Sequence, residues 1–330
     1  MSYFMKIFFV VVCVSHFVFG DSFYQKGFIP KKNGLVISYE KSIPNPQSPV
    51  LVLLPGIFRG LTSEDPFLKR LTAEKINWVS FHFSLQPDSH LLIKNTSVSQ
   101  LFSQVNLEEL RNEPFLVTSA LKIQKPIFVS LSYSSLISAG WNSKQVPWMI
   151  EVSPMGRYDE QNPGFSAYGN AWESWMKLIP FWGTVITSST KELAYFNYWT
   201  MMVQGLRASH PELNQVVAFN QAVKAYVQMS KLAEGFDLRQ QNFAQSPKKI
   251  YVIGEKEDTY RLQLQKEAIV LDQKTKGLTY IFLMKDAGHI IPMDSPEGYF
   301  QVIKTIYTGQ LQSGKSQALV SKEGKINWLR

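Results

Sequence analysis

Five short, almost wholly apolar runs constrain this chain more than any other feature. Residues 50–54 (VLVLL), 126–131 (PIFVSL), 148–152 (WMIEV), 250–253 (IYVI) and 278–284 (LTYIFLM) have the length of strands and almost no polar side. A strand can be apolar on both faces only where both faces are covered, which is the condition of a parallel sheet between helices. Segments with helical spacing alternate with these runs. They are 66–75, with Phe67, Leu68 and Leu71 on one side, 98–121, broken near Pro114, 133–141, 260–271 and 295–307, opened by Ser295-Pro296-Glu297. Residues 78–83 supply one more strand, and 34–39 alternates as an edge strand does. The pattern predicts an α/β fold with a mostly parallel sheet flanked by helices. Ligand sites in such sheets lie beyond the carboxyl ends of the strands.

One stretch, 155–247, breaks this rhythm. It has no buried-strand run, it is punctuated early by Gly156, Pro163, Gly164, Gly169, Pro180 and Gly183, and it turns helix-like over 192–232. We read it as an inserted, mainly helical cap over the carboxyl edge of a core made from 21–154 and 248–309. Trp172, Trp175, Phe181, Trp182 and Trp199 make it aromatic. They divide between the cap's own core and an apolar substrate pocket, since pockets are lined mainly by such side chains. Residues 310–330 form a polar tail with no strong pattern, expected to be loosely attached.

The ends and the charge narrow the class of protein. Residues 1–20 have a positive start at Lys6, an apolar centre and the sequence Val18-Phe19-Gly20, the features of a cleavable secretory signal. Cleavage after Gly20 would make the protein secreted or periplasmic and would remove Cys13, the only cysteine. Disulfides, thiolate chemistry and cysteine zinc sites are then excluded, and no remaining run is long enough to span a bilayer. The formal charge of +8 becomes +7 when Lys6 is removed, and its lysines and arginines are scattered. Without a basic stripe, nucleic acid is not an expected partner. A composition 45% apolar and only 18% charged is that of a folded chain.

Chemistry-bearing residues gather after the predicted strands. The run 126–131 passes directly into Ser132-Tyr133-Ser134-Ser135 and a helix pattern. A serine at the tip of a sharp strand-to-helix turn needs small residues two before and two after it, and Ser130 and Ser134 fill those positions. After cleavage the histidines are His82, His90, His210 and His289. His82 lies within a strand, His90 and His210 in polar loops, and His289 in the loop that follows the last apolar run. No two have the spacing of metal ligands. The run 250–253 ends at Gly254 and an acidic loop containing Glu257 and Asp258. The run 50–54 ends at Pro55-Gly56-Ile57, where a glycine frees the backbone to present amides.

Serine, acid and histidine occur in that order, each after a different strand, and this arrangement resembles the α/β-hydrolase fold. The resemblance spans about 34–307. It rests on Leu53-Leu54-Pro55-Gly56-Ile57, on the elbow Ser130 to Ser134, on the Gly254-to-Asp258 acid loop and on Ala287-Gly288-His289. Serines stand in both elbow positions where the family has glycine, and Pro55 stands where many members have histidine. The resemblance implies a serine hydrolase of esters or related acyl bonds, with Ser132 as nucleophile and His289 as base. The acid is Asp258, with Glu257 as its competitor at the commoner spacing. The amides of Ile57 and Tyr133 would form the oxyanion hole. Such chemistry needs no metal or organic cofactor, and the expected partner is a small-molecule or lipid-like ester. The alternatives are an inactive binding protein of the same fold and a peptidase or thioesterase.

Overall fold

The computed structural model describes residues 23–57, 60–86, 89, 105–158, 228–257, 259–277 and 279–329. The signal expected at 1–20 and most of the insertion expected at 155–247 lie outside them.

Ten strands form one sheet. They are β1 (Tyr24–Pro30), β2 (Val36–Ser42), β3 (Val50–Leu54), β4 (Trp78–Phe81), β5 (Pro126–Leu131), β6 (Trp148–Val152), β7 (Lys248–Gly254), β8 (Tyr280–Met284), β9 (Gln317–Val320) and β10 (Ile326–Trp328). Their spatial order is β1-β2-β4-β3-β5-β6-β7-β8-β9-β10. The strands from β4 to β9 run parallel, while β1, β2 and β10 pair antiparallel at the two edges.

Both faces are covered, as the apolar runs require. One side of the sheet carries Leu51, Leu53, Ile127, Val129, Ile150, Val152, Val252 and Phe282. Phe67, Leu68 and Leu71 of helix Pro66–Ala73 pack there with Tyr299, Phe300 and Ile303 of helix Pro296–Tyr307. The other side carries Val50, Val52, Leu54, Phe128 and Met149 beneath Leu110, Val117, Leu136 and Trp141. Burial of this kind contributes about 25 cal/mol per Å² of apolar surface. Helix Leu107–Ala120 is capped by Asn106, whose side chain accepts from the Glu109 amide. It runs through Pro114 without the expected break, because the proline ring is buried against the core and packing outweighs the lost hydrogen bond. No helix among the described residues is long and apolar enough to cross a membrane.

Both edges extend further than the sequence pattern predicts. The strand expected at 34–39 is not the edge, because β1 pairs outside it. Residues 310–330 are not a loose tail: β9 joins β8, and β10 closes on β9. Ala318 and Val320 are buried, and Trp328 stacks edge-on against Phe282 at 5.5 Å. A four-residue strand with two inward apolar side chains is too short to show a period, which is why the pattern missed it.

Between β6 and β7 the core holds a buried ion pair. Glu151 and Lys249, both fully buried, lie 3.3 Å apart. Ser138, at the end of helix Ser134–Ser138, donates to Glu151 at 2.6 Å, and Lys249 donates to Gln241 at 2.7 Å. The pair thus ties the helix behind Ser132 to the strand beside it. Lys249→Met should lower unfolding stability by about 3–5 kcal/mol, because Glu151 is left charged and buried. Lys249→Met with Glu151→Leu should regain most of that in urea unfolding. An equally unstable double variant would show that the charge is not the cause.

Candidate active site

The site is assembled by register. β5 lies between β3 and β6, with Leu54 opposite Ser130 and Leu131 opposite Val152. The turns after β3 and β5 therefore stand side by side. Ser132 follows β5 with φ 52°, a left-handed backbone that a side chain makes costly. Its neighbours hold it there. The Ser132 amide donates to the Val152 carbonyl at 3.0 Å, and the Ser132 carbonyl accepts from the Ser135 amide at 3.0 Å and the Met155 amide at 3.2 Å. Ser130 and Ser134 are both fully buried beside the turn, where larger side chains would collide.

Two further loops reach the serine. His289 leaves β8 through a turn with Asp286 at φ 61°. The amide of the next-door Gly288 donates to Asp294 Oδ2 at 2.9 Å. Glu257 leaves β7 through Gly254, and the two loops are bonded to each other. The Glu255 amide donates to Met284 at 2.9 Å and the Lys256 amide to Ala287 at 2.8 Å. Lys256 and Asp286 pair at 2.8 Å across the outside. The hydrogen bond and charge of Lys256 hold the Asp286 carboxyl below its usual range. A Cβ on Gly254 would lie 2.3 Å from the Gly288 carbonyl, so only glycine lets the loops approach this closely.

These loops bring three side chains into one chain of hydrogen bonds. Ser132 Oγ lies 2.7 Å from His289 Nε2, and His289 Nδ1 lies 2.6 Å from Glu257 Oε2. A carboxylate can only accept, so Nδ1 carries the proton and Nε2 is left to accept from the hydroxyl. The Glu257 side chain is 1% exposed and that of His289 20%. Gln265, fully buried, donates to Pro154 at 2.8 Å and more weakly to Glu257 Oε2 at 3.4 Å. The arrangement can draw a proton from Ser132 and hold the resulting imidazolium beside a carboxylate.

Of the residues singled out from the sequence, Ser132, His289 and Glu257 come together. Ile57 and Tyr133 follow β3 and β5, at the same edge. Asp258, Trp172, Trp175, Phe181, Trp182 and Trp199 lie outside the described residues, as do His90 and His210. His82 is buried just past the end of β4 rather than within a strand, with Nδ1 3.3 Å from Ser38 Oγ. The Tyr133 phenol is buried and donates to the Met229 carbonyl at 2.8 Å, and burial pushes its ionisation far above the ordinary range. Gln265 carried no signal in the sequence, although its helix Thr259–Lys276 follows the acid loop directly, because a glutamine within a helix has no local mark of a role. The segments 156–158 and 236–238 are joined to each other. Arg157 bridges Asp237, and the Leu238 amide donates to Gly156 at 2.8 Å.

No family model and no curated protein matches the sequence. Solved structures do match the fold. An esterase from Exiguobacterium antarcticum is 14% identical, with a TM-score of 0.56 over 85% of this chain and 98% of its own. An α/β hydrolase, MGS-M2, from a Medee basin deep-sea metagenome library is 14% identical, with a TM-score of 0.58 over 87% and 98%. A thermophilic esterase from Thermogutta terrifontis is 14% identical, with a TM-score of 0.56 over 86% and 98%. The chain has the α/β-hydrolase fold.

The backbone at Ser132 has a measurable consequence. Ser132→Gly should be more stable than Ser132→Ala by about 1 kcal/mol, since glycine adopts a positive φ without steric cost. Thermal unfolding of the two variants checks this, and equal stability would mean the turn is unstrained.

Proposed function

We infer that the protein is a serine hydrolase that cleaves an ester or a related acyl bond. The observation that carries this reading is the unbroken path from buried Glu257 through His289 to Ser132 on its left-handed turn. Ser132 Oγ attacks the acyl carbon while His289 Nε2 takes its proton. The imidazolium then returns that proton to the departing alcohol, and in the second half-reaction the neutral imidazole takes a proton from the water that attacks the acyl-enzyme and passes it to Ser132 Oγ as the acid leaves. Glu257, rather than Asp258, fixes the tautomer and balances the imidazolium charge. Amides of Ile57 and Tyr133 receive the oxyanion, each contributing about 3 kcal/mol to lowering the barrier.

The insertion at 155–247 is proposed as the substrate-selecting cap, with an apolar acyl pocket built from its aromatic residues. The sequence of residues 1–20 supports export, and we place the mature protein in a secreted or periplasmic location as part of the same proposal.

A fluorophosphonate probe should label the wild type and fail to label Ser132→Ala. An unlabelled wild type would favour a binding protein of this fold over an enzyme. Glu257→Gln should lower turnover by about three to four orders of magnitude, and Asp258→Asn far less. The reverse order would give the acid's role to Asp258.

A series of p-nitrophenyl esters tests the pocket. kcat/KM should rise from acetate towards medium chains, since each buried CH₂ contributes about 0.8 kcal/mol. A flat series, or a preference for acetate, would reject an apolar acyl site. Faster cleavage of thioesters or amides would move the substrate class accordingly.

A further inference from the structure

The loop that follows β3 is held by its carbonyls. Ser134 Oγ donates to the Pro55 carbonyl at 2.5 Å, and Gln86 Nε2 donates to the Gly56 carbonyl at 2.7 Å. Further along, Ser80 Oγ donates to the Leu61 carbonyl at 2.5 Å. A Cβ on Gly60 would lie 2.4 Å from the Phe81 carbonyl, so the loop lies directly on the end of β4.

Gln86 is fully buried and both ends of its amide are engaged. Oε1 accepts from the Phe83 amide at 2.9 Å, which leaves Nε2 as the donor to Gly56. The turn that carries it is fixed in its own right. The Gln86 amide donates to Phe83 at 2.8 Å, and the Ser89 amide donates to Gln86 at 2.9 Å. Fully buried Glu113 accepts from the Ser84 amide at 2.9 Å and from the Ser84 hydroxyl, and Lys31 closes on Glu113 at 2.7 Å. In a trans peptide the carbonyl and the amide of one unit point in opposite directions. Fixing the Gly56 carbonyl on Gln86 therefore fixes the Ile57 N–H on the opposite side of that peptide plane.

We propose that Gln86 is a positioning residue for the oxyanion hole, setting the Gly56–Ile57 peptide so that the Ile57 amide is preorganised for the charge that develops on the substrate oxygen. Ser134 does the same for the preceding peptide, which gives a use to a serine in a position where the family has glycine. The proposal rests on the hydrolase reading above. An amide that is already oriented stabilises the transition state without reorganisation, and the benefit appears in kcat rather than in ground-state binding.

Gln86→Met keeps the length of the side chain and removes the donor. Gln86→Asn keeps the amide but is one methylene too short to reach Gly56. Fluorophosphonate titration counts working sites in each preparation, so loss of folded protein does not enter the rates. Per titrated site, kcat for an ester should fall roughly tenfold or more, within the range for loss of an oxyanion donor, while KM stays within about twofold. A trifluoromethyl ketone adds Ser132 Oγ to its carbonyl carbon, with the hydroxyl proton passing to His289 and the negative charge to the ketone oxygen. Its affinity should fall by the same factor as kcat, and that of the unreactive methyl ketone should not change.

A kcat per site within twofold of wild type in both variants would overturn the proposal. Equal weakening of the two ketones would also overturn it, because that is the mark of a general packing defect. If the wild type is not titrated and forms no adduct, the hydrolase reading fails first and this proposal with it. If the wild type is titrated and the variants match it, only the role of Gln86 is lost.

Discussion

The left-handed backbone at Ser132 is held by bonds to β6, to the turn that follows it and to Met155. Its amide is bonded to Val152 of β6, and its carbonyl is bonded to the helix that follows and to Met155. A backbone in that region costs on the order of 1–3 kcal/mol and persists where surrounding structure overdetermines it. Here the parallel register of β3, β5 and β6 does so. The same register brings the Pro55–Ile57 turn next to Ser132, and β7 and β8 deliver Glu257 and His289 from the other side. Backbone bonds hold Ser132 and join the acid loop to the histidine loop, so the site inherits much of its geometry from the sheet.

Glycine and serine have divided roles in this arrangement. Gly254 and Gly60 stand where backbone meets backbone and a Cβ has no room. Ser130 and Ser134 stand where a small side chain fits. Ser134 also uses its hydroxyl to bond the Pro55 carbonyl. A glycine in its place would satisfy the turn equally well but would leave that carbonyl to find another donor.

The central sheet was legible because β3, β5, β6 and β7 are buried on both faces, and β8 is buried on one and half-buried on the other, so they carry runs that only a covered strand tolerates. The edges were not legible. β1 alternates through half-exposed positions, and β9 and β10 are three or four residues long. Ser132 and His289 could be located from the sequence, since Ser132 directly follows an apolar run between small neighbours and His289 lies in the loop after the last such run. Choosing between Glu257 and Asp258 depended on the path of the chain after Gly254. That path is set by bonds from Glu255 and Lys256 to residues of the β8 loop about thirty positions away, and no local pattern reports them. Gln86 was invisible for the same reason, as its partners Phe83 and Gly56 become neighbours only when β4 lies beside β3.

The closing strands bear on when the protein becomes competent. The Lys285 amide, at the start of the loop that carries His289, is bonded to the Val320 carbonyl of β9, and Gly298 is bonded to Lys322. One support of the His289 loop is therefore made after every residue of the proposed triad. During synthesis from the N-terminus, β3 to β8 can pair before 317–328 has left the ribosome, and the histidine loop then has its bonds to the β7 loop but lacks the one from Lys285 to Val320. Domains fold as they emerge, at about 5–20 residues per second. The histidine loop is thus complete only when 317–328 has emerged and paired with β8.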